Sequence, residues 1–293
     1  MSEFETSGVP LLPQQVRDVW QQVTNGRRSK ESAMVEQERL VDERRSRWTD
    51  SLLEPGQPTL ETSLLRELGR YLQIDDLDVV RGRCRQALQE LKVAWTSTVQ
   101  PDDPASVEQY YRETEGTLYE LMSWHTLVDD ISPLAYVNAL ELAERGTGRR
   151  YLDFGSGVGS GGLLFARAGF DVTLADVSVP LLAFCRWRFA RRNVTARFID
   201  TMVTPIPEQA FDVITAMDVF EHLTDPPATA AMLARALRPG GILVARLHAD
   251  EDADRPQHIV TSFEPVFLRL EELGCVRVWE DDWLWGHQAF QRR

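Results

Sequence analysis

The sequence predicts an α/β fold: a doubly wound, mostly parallel seven-stranded sheet with an antiparallel C-terminal hairpin, preceded by an all-helical N-terminal region. Three observations carry this. From Arg150 onward, short apolar runs alternate with helical segments, which is the grammar of βαβ units around a parallel sheet. The first of those runs ends in a glycine-rich turn that opens a helix. Before about residue 130, helical periodicity dominates and strand signal is nearly lacking.

In chain order, the helical part carries spaced apolar residues among charges in stretches such as Ser32 to Leu53 and Leu60 to Leu72. Pro55-Gly56-Gln57-Pro58 and Gln100-Pro101-Asp102-Asp103-Pro104 read as loops, because proline lacks a donor and biases the residue before it away from helix. Strands are expected at Arg150 to Phe154, Val172 to Ala175, Thr195 to Ile199, Phe211 to Met217 and Gly241 to Leu247. Helices fit at Gly161 to Ala168, Val179 to Arg192, Ala228 to Leu237 and Phe263 to Leu273. Val276 to Glu280 and His287 to Gln291, joined by a Trp-rich turn, form the edge hairpin. This divides the chain into a helical region, residues 1–130, and a ligand-binding α/β domain, residues 131–293.

Composition narrows the function classes. At 43% hydrophobic and 26% charged residues the chain is ordinary globular protein, and no apolar run approaches the roughly 18 residues a membrane helix needs. The N-terminus, Met1-Ser2-Glu3-Phe4-Glu5, is acidic and lacks the basic-then-apolar order of an export signal, so a cytoplasmic location is expected. Cys84, Cys185 and Cys275 are odd in number and far apart, which argues for buried reduced thiols and against a disulfide framework or zinc knuckle. A net charge of −13 opposes nucleic-acid binding, which depends on Lys and Arg releasing counterions from phosphates. The expected partner is a small molecule, with neither nucleic acid nor membrane.

Tyr151-Leu152-Asp153-Phe154-Gly155-Ser156-Gly157-Val158-Gly159 is an apolar strand running into a glycine turn, where the backbone can approach a ligand closely and a helix N-terminus offers free N–H groups. Dinucleotide enzymes use a similar turn. Their GxGxxG spacing would place its third glycine at Ser160, whereas here the glycines fall at 155, 157 and 159 behind the acidic Asp153. Asp176 ends the second strand, where a carboxylate can accept from both hydroxyls of a ribose; capping the next helix is its alternative role.

In sequence this turn resembles motif I of the class I S-adenosylmethionine-dependent methyltransferases. Phe211-Asp212-Val213-Ile214-Thr215-Ala216-Met217-Asp218-Val219-Phe220-Glu221-His222-Leu223 resembles the fourth strand and post-strand motif of the ubiquinone-biosynthesis-like methyltransferases, and Leu237-Arg238-Pro239-Gly240-Gly241 their turn into the fifth strand. The resemblance covers residues 150 to about 247 and implies S-adenosyl-L-methionine as cofactor. On it, Asp153, Gly155, Ser156, Gly157, Gly159, Asp176 and Asp218 line the cofactor, and Asp200 with Thr201 meets the adenine edge. The family also has a metal-using branch marked by an acid-x-x-Glu-His run and a later His. Here Asp218 stands where that branch more often has Glu, and no metal is assigned.

Methyl transfer asks the protein to align nucleophile, methyl carbon and sulfur; a hydroxyl or ammonium acceptor also needs a base. His222, after the fourth strand with Glu221 before it, and His258, beyond the fifth, are the expected acceptor-side residues, with His248 a third candidate base. Oxygen is the expected acceptor atom, nitrogen or carbon the alternatives. The rival functions are a nicotinamide-dependent oxidoreductase and a catalytically silent methyltransferase fold used for binding.

Tyr110 to His125 is helical in pattern and rich in aromatics; by family analogy Tyr111, Tyr119 and Trp124 lie over the methionine end of the cofactor, or else dock on the sheet. Trp279, Trp283 and Trp285 wall an aromatic acceptor pocket or an interface, or simply pack. The run Asp250-Glu251-Asp252-Ala253-Asp254 reads as a solvated connection, and Arg186, Arg188, Arg191 and Arg192 as an exposed basic face. Residues 1–100 match no nameable family and are expected to form a substrate cap, a homodimer surface, or both.

Overall fold

The protein is described from a computed structural model that covers residues 10–126, 133–249, 255–281 and 286–293. The expected division between residues 130 and 131, the acidic run Asp250 to Asp254, Trp283, Trp285 and the acidic N-terminus lie outside the described residues.

The helical region comprises α1 (Leu12–Thr24), α2 (Lys30–Leu52), α3 (Leu60–Leu72), α4 (Leu77–Thr98), α5 (Pro104–Glu113), α6 (Gly116–Thr126) and α7 (Leu134–Ala143). Their starts are written in the sequence. Ser29, Thr59, Asp76 and Asp103 each precede a helix and accept a hydrogen bond from a backbone N–H of its first turn, at 2.9 to 3.1 Å. Pro104 follows its cap at the one position where a missing N–H is harmless.

The α/β part follows as β1 (Arg150–Phe154), α8 (Ser160–Arg167), β2 (Asp171–Asp176), α9 (Val179–Arg191), β3 (Arg197–Asp200), β4 (Phe211–Ala216), a 3₁₀ turn (Phe220–His222), α10 (Pro226–Ala236), β5 (Leu237–Arg246), α11 (Glu264–Glu272), β6 (Cys275–Glu280) and β7 (His287–Arg292). The seven strands run in the order β3-β2-β1-β4-β5-β7-β6. β1 to β5 are parallel, and β7 inserts antiparallel between β5 and β6. This is the expected sheet. Strand order reverses between β1 and β4, so the segments leaving their carboxyl ends flank the crevice where open α/β sheets bind ligands.

Alternation along the strands builds two cores. Tyr151, Val172, Leu174, Val213, Ile242 and Val244 face one side, where they join Leu64, Leu68, Met122 and Leu140 of the helical region in one continuous apolar cluster. Leu152, Ala175, Ile214 and Leu243 face the other, against α10 and α11. Burying such side chains contributes about 1.5–3 kcal/mol each, which is why the helical region stays on the sheet. All three cysteines are buried and free, as expected.

The arginines of α9 do not form the exposed basic face read from the sequence. Arg186 and Arg191 are exposed, but Arg188 is fully buried and Arg192 half-buried. Arg188 Nε donates to Glu67 of α3 at 2.8 Å and its Nη1 to the Val158 carbonyl at 2.7 Å, while Arg192 Nε donates to the other Glu67 oxygen at 2.6 Å. A buried charge is tolerated only when paired and hydrogen-bonded, and Glu67 supplies both.

Candidate active site

A cavity of about 590 Å³ opens at the strand-order reversal and is walled by the β1–α8 turn, the ends of β2, β4 and β5, helices α5 and α6, and residues 255–258. At one end lies the glycine turn. Gly155 and Ser156 both donate to the Ala175 carbonyl, at 2.8 and 3.1 Å, which ties the turn to β2. Gly155 has φ +69° and a Cβ there would sit 2.4 Å from Val219; Gly157 has φ +53° and its Cβ would meet Leu121 of α6 at 2.7 Å. Neither position admits a side chain, and α6 closes directly onto the turn. The Ser156 hydroxyl, buried in this wall, has no hydrogen-bond partner among the described residues.

Asp176 faces the turn. Its two oxygens accept from Gly157 N–H and Ser178 N–H, each at 2.9 Å, leaving lone pairs on both for a diol. Burial pushes its carboxyl up to about 6, while the backbone donors oppose the shift.

Of the other residues expected at the cofactor, some line this cavity and some do not. Asp153 is fully buried beneath the turn, where Thr215 donates to it at 2.9 Å and burial pushes it up to about 7. Gly159 packs against Phe189, Cys185 and Leu174. Neither lines the cavity. Asp200 lies beside Asp176 in register but takes a two-pronged ion pair from Arg112 of α5, at 3.1 and 3.2 Å. Thr201 donates its N–H to the Asp176 carbonyl, and it too is outside the lining. Tyr111 and Trp124 line the cavity, whereas the Tyr119 hydroxyl accepts from Arg83 at 2.8 Å outside it.

The opposite end is built from the segment after β4. Asp218 adopts φ +51° and lines the cavity, and the 3₁₀ turn then carries Glu221 and His222. Ile259 N–H donates to the Glu221 carbonyl at 2.9 Å, pinning the loop that holds His258, so the two imidazoles meet edge to face with centroids 4.9 Å apart. Both line the cavity. Burial, with His258 beside it, brings His222 down to about 4, so the ring is neutral at neutral pH. Glu221 is buried behind them and accepts from Arg246 Nη1 at 2.9 Å; burial and the Asp218 charge raise its carboxyl and Arg246 opposes them. One donor atom each from Glu221, His222 and His258 lie within 4.8 Å of one another, a spacing compatible with a cation, but a guanidinium already holds Glu221. His248 is exposed and away from the cavity, and Trp279 packs on the edge strand β6.

The lining also includes ionisable residues that sequence reasoning did not assign to the site. Glu120 and His125 come from α6, Arg246 ends β5, and Arg255 stacks its guanidinium 5.1 Å from the Trp124 ring centroid. Burial pushes Glu120 up to about 7, with Arg255 and the Trp124 hydrogen bond opposing. His125 Nδ1 lies 2.9 Å from the Ser160 hydroxyl, to which Arg188 also donates at 3.0 Å. None of these belongs to a local motif; the i, i+4 spacing of Glu120 and Trp124 was the one available signal, since it puts them on one helix face.

Residues 130–286 match a family model described as a methyltransferase domain. The chain is 29% identical over 150 residues to the ubiquinone biosynthesis O-methyltransferase of Photorhabdus laumondii, covering 48% of this chain and 62% of that protein. It is 34% identical over 110 residues to the demethylmenaquinone methyltransferase of Thermus thermophilus, covering 36% and 50%. The match thus spans less than two thirds of either relative's length. A structure of Haemonchus contortus phosphoethanolamine N-methyltransferase 2 in complex with S-adenosyl-L-methionine is similar at 23% identity and TM-score 0.47, covering 58% of this chain and 44% of that one.

Proposed function

Because this chain belongs to the methyltransferase-domain family, we propose that it is an S-adenosylmethionine-dependent methyltransferase that methylates a small-molecule acceptor at oxygen, with His222 as proton acceptor. The observation that carries the proposal is a single cavity joining the glycine turn and Asp176 at one end to His222 and His258 at the other. Its volume of about 590 Å³ falls in the range of small-molecule sites.

The residues fit the cofactor. The Ser156 hydroxyl, without a partner among the described residues, and the side-chain-free Gly155 and Gly157 suit the methionine end, and the remaining acceptor capacity of Asp176 suits a ribose diol. S-adenosylmethionine, when bound, supplies a methyl group on a positively charged sulfur. The chain's own part is to hold, align and dehydrate. Leu121 and Trp124 of α6 cover the cavity and exclude water, and α5 and α6 thereby act as a cap from the N-terminal region. The acceptor oxygen would take the methyl carbon as the carbon–sulfur bond breaks and its electron pair returns to sulfur, and the acceptor's proton would leave for the neutral His222. Arg246 pairs with Glu221 and reaches toward Asp218, so the positive charge on this wall comes from the chain's own guanidinium.

His222→Ala tests the reading. Turnover should fall roughly 10²- to 10⁴-fold while S-adenosylhomocysteine affinity, by calorimetry, stays nearly constant. Unchanged turnover would remove His222 from the chemistry. A second reading has Glu120 as the base, favoured by a carboxyl in the same cavity held near neutrality. Glu120→Gln losing the larger factor would select it.

A further inference from the structure

We propose that Tyr111, supplied by the helical region outside the matched methyltransferase domain, is a positioning residue that fixes the orientation of His222, whose tautomer the Gln257 carbonyl sets. The proposal rests on the reading of His222 as proton acceptor. Tyr111 Oη and His222 Nδ1 lie 2.9 Å apart, and the Gln257 carbonyl oxygen lies 3.1 Å from the same nitrogen. A carbonyl can only accept, so the proton resides on Nδ1 and is shared between the carbonyl and the phenol oxygen. Nε2 is then the lone-pair nitrogen, and the ring keeps its one basic atom for the acceptor.

The phenol is held firmly enough for this task. The Tyr111 ring is packed edge to face with Tyr110 at 5.4 Å and tilted against Trp95 at 5.8 Å, so α4 and α5 clamp it from two sides. Burial and the neighbouring Tyr110, Glu120 and Glu221 push its hydroxyl well above the ordinary range, so it stays a neutral phenol. Gln257 belongs to a loop, whereas Tyr111 belongs to a helix; two partners from different elements fix a ring that one alone would leave free to swing. A domain cut back to residues 130–286 would lose this half of the clamp.

The test is Tyr111→Phe in the full chain, which keeps the packed ring and deletes one oxygen. Histidine-labelled protein saturated with S-adenosylhomocysteine is compared by long-range ¹⁵N–¹H NMR, with His222→Ala assigning the resonances. The wild type should show His222 as the Nδ1–H tautomer. Tyr111→Phe should shift both His222 nitrogens and speed exchange of the Nδ1 proton. It should lower kcat by about ten-fold, the loss of roughly one hydrogen bond, with KM for S-adenosylmethionine unchanged. Unchanged nitrogen shifts overturn the positioning role whatever turnover does. Shifted nitrogens together with full turnover in His222→Ala would show that the contact is real but that the reading of His222 has failed, and the proposal falls with it.

Discussion

Arg246 Nη1 donates to Glu221 Oε1 at 2.9 Å, with both side chains buried, and Arg246 Nε lies 3.7 Å from Asp218. The two acids that bracket the post-β4 run therefore share one organic cation. The other Glu221 oxygen, Oε2, is buried with no hydrogen-bond partner among the described residues, but a divalent metal there would sit beside that buried guanidinium, and two positive charges so close in a buried site are strongly unfavourable. Turnover in excess EDTA should equal turnover without it. Activity lost to chelator and restored by a divalent cation would put a metal on Glu221, His222 and His258 instead.

Asp176 carries the ribose assignment. Its oxygens take one N–H each, which leaves acceptor capacity on a carboxylate that lines the cavity. Asp176→Ala should weaken S-adenosylhomocysteine about ten-fold or more, since hydrogen bonds to a charged group contribute roughly 1.5–3 kcal/mol. Calorimetry showing unchanged affinity would reject the assignment.

What was legible followed from short-range rules. β1, β2, β4 and β5 are apolar runs bounded by turns, and the glycine spacing set the ligand type because it is a local backbone property. What escaped depends on partners far along the chain. Arg188 on α9 and Arg192 just past its end, spaced i and i+4, look like any solvated helix face, and only Glu67, 121 residues before Arg188, draws them inward. Tyr119 and Glu120 are neighbours in sequence, but a helix turns about 100° per residue, so Glu120 shares the cavity face with Trp124 while Tyr119 turns to Arg83. Asp200 ends β3 where an adenine contact was expected, and its engagement by Arg112 could not be read without knowing where α5 docks.

That Arg112–Asp200 pair gives the cap a checkable fastening. With Tyr111 on His222 it forms two polar ties from α5 to the α/β part. Arg112→Ala should raise hydrogen exchange across residues 104–113 by up to about five-fold, as a partly exposed ion pair warrants, without unfolding the sheet. Exchange unchanged there would mean that apolar packing alone holds α5.

Glu120 provides the pH signature. Burial in the cavity brings its carboxyl from 4.5 up to about 7, so the folded protein holds this proton more tightly than the unfolded chain does. The sign follows from linkage: the contribution is fully present below pH 4.5 and is lost as pH rises through about 7, because ionising the group in place disfavours the folded state. Glu120→Gln keeps the shape and removes the proton equilibrium. Relative to wild type it should therefore gain stability between pH 5 and pH 8, by about 1–3 kcal/mol in urea titrations. His125 and His222, held down to about 3 and about 4, act in the opposite sense, losing stability as pH falls from 6.5, but both chains contain them and they cancel in the difference. A stability difference that stays flat from pH 5 to pH 8 would mean that Glu120 is ionised in the folded protein at neutral pH, its charge balanced by Arg255, and would remove the ground for treating it as a proton acceptor.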